Sequence, residues 1–397
     1  MLAIDRSSME NRDVSKSIAQ QVRAFTDSNQ DRIIALIEEL VLIETPTLRT
    51  ETHPRIHEIL IREFARAGYS CFRRSGKTSG GLLYSRPARR ERNREAQLIL
   101  GHCDTVWDIG TLKKDMPLKI EGNMMKGPGV YDMKAGLAQT VYALRALKEL
   151  KIFPSITPVV LITSDEELGS DDSVKLIKSL SKKVKRVLIP EPSFGETGSL
   201  KTSRKGVGRY EIRITGKAAH SGLEPEKGIS AVVVLADVIK ELSFLNDYAQ
   251  GISVNVGLVE GGTRENVVPA ESRALVDVRI RTTIDAWKID QAIRSIQPSL
   301  PGAAIEVTGG IDRPPMEKTE ANQELWKKAE KVGKELGLDL KGVESGGASD
   351  GNFTSEFVAT LGGLGPVGGG AHALHEFIRL DKVSERTALL AMLMIQD

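Results

Sequence analysis

The chain has 397 residues, of which 40% are hydrophobic and 27% charged, with a formal net charge of +2. That length exceeds one ordinary hydrophobic core and predicts about two domains. The near-balanced charge excludes a polycationic nucleic-acid surface, and the absence of any run of roughly 18 apolar residues excludes a helical membrane span.

The N-terminal stretch "MLAIDRSSMENRDVSKS" lacks the apolar centre of a secretory signal. With only two cysteines, Cys71 and Cys103, no disulfide framework is expected, and a cytoplasmic location is. "DRIIALIEELVLI" spaces its apolar residues as a helix over 31–43, which Thr45-Pro46 ends. A second amphipathic helix is predicted over 54–67, with His53 and His57 as surface or helix-end residues. "GGLLYS" reads as a strand, and the arginine-rich "RPARRERNREAQ" as a solvated hairpin or loop.

Three strands then end in polar residues. "AQLILGHCDTV" ends in His102 and Asp104, "TPVVLITSDEELGS" in three acids, and "KRVLIPEPS" in Glu191. Helices are predicted between them in "DMKAGLAQTVYALRALKEL" and "SDDSVKLIKSLSKKV". Alternating strands and helices imply an α/β domain with a mixed, mostly parallel sheet flanked by helices, and ligands of such sheets gather at the carboxyl ends of the strands. From about Ser199 the period changes to two. "RYEIRITGK", "ISVNVGLVEGG" and "ESRALVDVRIRT" predict an antiparallel sheet, with helices in "GISAVVVLADVIKELSFL" and "IDAWKIDQAIRSIQPSL" on one face. The expected organisation is therefore a catalytic domain of 1–198 and 310–397 with an α+β insert at 199–309. Its last part holds a helix in "NQELWKKAEKVGKELGL", a short strand and glycine-rich loops in "FVATLGGLGPVGGG", and a closing helix in "SERTALLAMLMIQ".

His102 follows a buried strand, and Asp104 two residues on is placed to hold its other ring nitrogen. Asp132 stands where a helix begins. Glu166 and Glu167 follow the second strand, Glu191 the third, and His372 and His375 lie in "GGGAHALHEF". Histidine and carboxylate donors without thiolate suit zinc, with manganese or cobalt as substitutes. Cys103 is read as a small buried hydrophobe rather than a nucleophile.

The motifs "GHCDTV", "GPGVYDMKAGLA", "SDEELGS", "EPS", "GKAAHSG", "ENVVPA", "DVR" and "GAHALHEF" together resemble the two-zinc metallopeptidase family. That family holds bacterial glutamate carboxypeptidase, the aminoacylases and succinyl-diaminopimelate desuccinylase, and the glutamate carboxypeptidase branch is the most similar. The resemblance implies two Zn2+ per subunit, one on His102 and Glu191, the other on Glu167 and His372, with Asp132 bridging and followed by a cis peptide bond. It implies Glu166 as general base toward a metal-bridging hydroxide, and Asp104 as the partner of His102. Asp165 is left with a structural role at the turn, and His375 matches no ligand.

The same resemblance gives the inserted domain a dimerisation and lid role. His220 would reach the partner subunit's site and stabilise the oxyanion, while Asn266 and Arg279 would hold a substrate carboxylate. The implied activity is release of a C-terminal Glu- or Asp-type amino acid from a peptide or N-acyl conjugate. An aminoacylase, or an amidohydrolase or deaminase of a non-peptide, aromatic substrate, is the alternative on the same metals. A non-catalytic binding protein is the other, although no ligand is missing. The roles of Asp350 and Arg264 stay open.

Overall fold

The structure, a computed structural model, describes residues 18–89 and 93–397. The reading of the N-terminal 17 residues and part of the arginine-rich loop fall outside them. The fold divides into two compact units. One runs to Thr202 and resumes over Lys318–Glu344 and Phe353–Asp397; the other comprises Ser203–Glu317 and Ser345–Asn352.

After a helical stretch over 18–28, the first unit continues with α1 (Gln30–Val41) and α2 (His53–Arg66). On α1 the buried residues are Ile33, Leu36, Ile37, Leu40 and Val41, one face at helical spacing. On α2 the inward face includes Ile56, Ile59, Leu60 and Phe64, but also His53 and His57. Both histidines are fully buried, which corrects their expected surface placement. They stand four residues apart, and so share the face that the apolar neighbours draw inward. Each aliphatic side chain so buried contributes about 1.5–3 kcal/mol on leaving water.

Five strands of the main sheet follow, β1 (Tyr69–Arg74), β2 (Leu82–Pro87), β3 (Ala96–His102), β4 (Thr157–Thr163) and β5 (Arg186–Leu188), with helices α3 (Ala135–Glu149) and α4 (Val174–Ser181) among them. β3 and β4 are buried on both faces after their first residue, as strands covered by helices on both sides must be.

The second unit holds β6 (Gly206–Thr215), α5 (Ala231–Phe244), β7 (Ser253–Gly261), β8 (Glu271–Ile280), α6 (Thr283–Arg294) and β9 (Ala304–Arg313). Its antiparallel sheet has the order β7-β8-β6-β9. Burial alternates along β8, and the inward residues pack with Val234, Leu235 and Val238 of α5 and Ile289 and Ile293 of α6. Ser230 and Thr282 cap the two helices through their side chains. β9 was not anticipated, and the boundary expected at 309 falls inside it. Its "AIEVTGGIDR" carries two adjacent glycines that mask the alternation.

The chain returns to the first unit with α7 (Glu320–Glu335), β10 (Ala359–Leu361) and α8 (Val383–Met394). The main sheet then has the order β1-β2-β4-β3-β5-β10. β4, β3, β5 and β10 run parallel, and β2 pairs antiparallel with both β1 and β4. This is the mixed, mostly parallel α/β sheet expected. Among the described residues, no helix is long and apolar enough to cross a membrane.

Candidate metal centre

Parallel strands bring the chemistry to one edge of the sheet. His102 pairs with Thr163, and Ile99 with Leu188. The chain thus leaves β3 at His102, leaves β4 just before Asp165, Glu166 and Glu167, and leaves β5 just before Glu191. Glu191 stands three residues past Leu188, as His102 stands three past Ile99. Asp132 arrives on the turn before α3. Gly136 in that helix has no room for a side chain, because a Cβ there would lie 1.8 Å from the carbonyl oxygen of Pro190. The start of α3 therefore packs directly on the segment that carries Glu191.

Asp132 is the centre of the arrangement. Its Oδ1 lies 3.2 Å from His102 Nε2, and its Oδ2 lies 3.8 Å from His372 Nε2. His372 Nε2 is also 3.1 Å from Glu167 Oε2. One donor atom each from His102, Asp132 and Glu167 fall within 4.8 Å of one another. The His102 side chain is buried, while that of His372 is 52% exposed, so the cluster is closed at one end and open at the other. The peptide bond from Asp132 to Met133 is cis. His372 itself sits in the left-handed region at φ 60, and His375 is exposed beside it.

Asp104 does more than the partnership expected of it. His102 Nδ1 is nearer the Asp104 carbonyl oxygen, at 3.1 Å, than its carboxylate, at 3.4 Å. The carboxylate accepts the Thr47 hydroxyl at 2.8 Å and the backbone N–H groups of Glu166 and Glu167 at 3.3 and 3.2 Å. It thereby ties the end of β3 to the turn that carries both glutamates. Asp165 accepts the backbone N–H groups of Asp172 and Ser173 at 2.8 and 3.1 Å, a structural role before α4.

Sequence reasoning passed over three residues around this cluster. Thr47 reaches Asp104 from the loop after α1. Lys134 donates to the carbonyl of Ile43 at 2.6 Å, and burial pushes its ammonium down to about 8. Glu376, four residues beyond His372, accepts the backbone N–H of Asp132 at 3.0 Å. Lys134 and Glu376 both lie inside quoted motifs, "GPGVYDMKAGLA" and "GAHALHEF", while Thr47 lies in none.

Burial and mutual contact set the protonation of the group. Burial opposes charge on His102, but hydrogen bonds to Asp104 and Asp132 override it and hold the imidazole well above its ordinary value. Burial likewise opposes ionisation of Asp104, yet His102 and Thr47 keep its carboxyl below the usual range. Burial pushes Glu167 up to about 7, and the bond to Glu167 pushes His372 up to about 9. Buried acids facing two histidines are the setting that a divalent cation resolves by replacing the shared protons. No thiolate competes, because Cys103 is buried, lies 3.6 Å from His57 Nε2 and has its thiol pushed up by burial. The residues present fit a metal.

Three further candidates lie in the second unit. His220 is exposed, and its Nδ1 accepts the N–H groups of Gly222 and Leu223 at 3.1 and 3.2 Å. Asn266 is its neighbour, since His220 bridges Val267 and the Ser221 N–H donates to the Asn266 carbonyl. Arg279 lies on β8, where its Nε and Nη2 donate to both oxygens of Asp277 at 2.8 and 2.9 Å. Its guanidinium is thus already paired rather than simply solvated. Asp350 is buried and pairs with Arg313 at 3.0 Å.

The description of peptidase family M20/M25/M40 matches residues 98–396. The chain belongs to peptidase family M20/M25/M40. Carboxypeptidase G2 of Pseudomonas sp. (strain RS-16) is 30% identical to this M20 chain over 94% of the chain and 91% of its own length. Among solved structures, the aminopeptidase PepT from Bacillus cereus ATCC 10987 superposes with a TM-score of 0.77 at 22% identity, covering 92% of this chain and 98% of that one. The YXEP protein of Bacillus subtilis, a dinuclear metal-binding peptidase of the M20 family, superposes with a TM-score of 0.68 at 13% identity, over 93% and 98% of the two chains. The M20 chain is accordingly a metallohydrolase of amide or peptide bonds with a metal site.

Proposed function

We propose that this M20 chain is a two-metal carboxypeptidase that releases a C-terminal Glu- or Asp-type amino acid from a peptide or an N-acyl conjugate. The observation that carries this reading is Asp132, whose two oxygens face His102 and His372 separately. A carboxylate so placed suits a ligand shared by two cations. His102 and Glu191 would hold one and Glu167 and His372 the other. Zinc fits this donor set, with Mn2+ or Co2+ as substitutes. The likeness to carboxypeptidase G2 over 94% of the chain supports the choice of bond.

When bound, the two cations would acidify a water and polarise the scissile carbonyl. The remaining work belongs to the chain. Glu166 follows β4 beside Glu167, its N–H is held by Asp104, and its charge acts on His102. It takes a proton as the water oxygen bonds to the carbonyl carbon, and returns that proton to the amine as the C–N bond breaks. On His220 the two N–H donors occupy Nδ1, which leaves the proton on Nε2 as a donor for an oxyanion.

In this reading His220 serves the partner's site in a homodimer formed through the second unit. Exposed Val233, Phe244 and Tyr248 on that unit support such pairing. Asn266 and Arg279 would hold the substrate carboxylate. The cytoplasm suits the two free thiols, Cys71 and Cys103.

One observation favours the second reading, an aminoacylase or an amidohydrolase of a non-peptide substrate. Arg279 is engaged by Asp277, so its guanidinium meets a carboxylate without any substrate. Kinetics on paired substrates, an N-acyl glutamate and its analogue lacking the α-carboxylate, decide between them. Loss of turnover with the analogue is expected, and equal turnover of both would overturn the carboxypeptidase reading.

A further inference from the structure

Glu376 is 1% exposed, and its carboxylate is fully engaged. Oε2 accepts Trp107 Nε1 at 2.8 Å and the Gly129 N–H at 3.0 Å. Oε1 accepts the Tyr131 N–H at 2.8 Å and the Asp132 N–H at 3.0 Å. Three of the four donors are backbone groups of the single turn that presents Asp132. That turn does not hold itself as a regular helix. Gly129 is left-handed at φ 70, and Asp132 and Met133 have non-helical backbone angles. Its buried N–H groups need an external acceptor, and Glu376 supplies it. Glu376 also lies on the loop of His372.

We propose that Glu376 is a positioning residue of the metal centre, clamping the Asp132 turn to the His372 loop so that the spacing between these two ligands is set before metal arrives. The proposal rests on the reading of Asp132 as the shared ligand. One carboxylate bonded to three backbone donors of one turn leaves that turn little freedom to rotate Asp132 away from His372. A neutral amide of the same shape cannot do this, because its NH2 would face the Trp107 and Gly129 donors or the Tyr131 and Asp132 donors.

The test compares Glu376→Gln, Trp107→Phe and Asp132→Asn in the full chain. Metal affinity is read by chelator competition, the Co2+-loaded protein by its visible absorption, and the metal-free protein by its melting temperature. Glu376→Gln is expected to weaken metal binding by about 10–100-fold and to alter the Co2+ spectrum. Trp107→Phe, which removes one donor and leaves the turn's own groups in place, should shift both readouts less and in the same direction. It decides the matter if Glu376→Gln does not fold. Lower melting temperatures in both variants, with metal affinity and Co2+ spectrum unchanged, would overturn the proposal and leave Glu376 a purely structural acid. Retention of both metals by Asp132→Asn would instead sink the two-metal reading beneath it. Loss of metal in Asp132→Asn with none in Glu376→Gln sinks only the positioning role.

Discussion

The carboxylate of Asp104 accepts the backbone N–H of Glu167 at 3.2 Å, so one buried acid fixes where the side chain of another begins. Through the same carboxylate Glu166 is held at 3.3 Å. Two adjacent glutamates thus leave one short turn from a shared anchor, and successive residues of a turn point in different directions. Glu167 is directed at His372.

The two glutamates should part company on mutation. Glu166→Gln is expected to retain about two metals per chain while kcat falls by about 10²–10⁴-fold, the worth of a positioned general base. Glu167→Ala should lose metal. Elemental analysis of both purified variants beside their kinetics checks this, and equal metal loss in the two would refute the assignment of the base.

Metal uptake should weaken in acid. His372 is raised to about 9 by its bond to Glu167, and Glu167 to about 7 by burial, so protons occupy these donors as the pH falls through that range. Each proton displaced on binding costs up to about tenfold in affinity per pH unit. Chelator competition from about pH 9 down to about pH 6 should show progressively weaker binding, with protons released to the buffer on loading. A flat profile would contradict the shared proton.

Arg279→Ala should lower kcat/KM for a carboxylate-bearing substrate by about 10–150-fold, the loss of a charged hydrogen-bonded contact worth about 1.5–3 kcal/mol. The analogue without the carboxylate should be indifferent to the change. An equal loss on both substrates would assign Arg279 to holding β8 through Asp277 instead.

His57 should make the fold acid-sensitive. Burial lowers its pKa from 6.5 to about 3, so between those values the unfolded chain binds a proton that the folded chain refuses. Stability contributed by neutral His57 is therefore present above about 6.5 and lost as pH falls, by about 1.4 kcal/mol per unit. Thermal melts of His57→Phe and the parent at about pH 7 and about pH 5 test it. A smaller drop in melting temperature for the variant is expected, and an equal drop would count against His57 as the cause.

The helices α1, α3 and α8, the strands β3, β4 and β5, and the polar residues at their carboxyl ends could all be read along the chain. Each depends on local periodicity, and periodicity is a property of neighbouring residues. The resemblance of the motifs singled out His102, Asp132, Glu166, Glu167, Glu191 and His372 as candidates, and the structure brings His102, Asp132 and Glu167 together. What sequence could not show is which distant groups meet. His53 and His57 look like polar helix residues until α2 turns that face inward. β9 hides behind its glycines. Arg279 reads as a holder of substrate carboxylate, and only the structure shows Asp277, two residues away on the same face, taking its guanidinium. Glu376 is a lone acid in the sequence, yet 244 residues of chain close to bring it onto the Asp132 N–H. The sequence by itself determined the strand ends and the candidate donors that stand at them. The tertiary structure alone decided their protonation and mutual aim, because burial and cross-chain hydrogen bonds exist only once the chain has closed on itself.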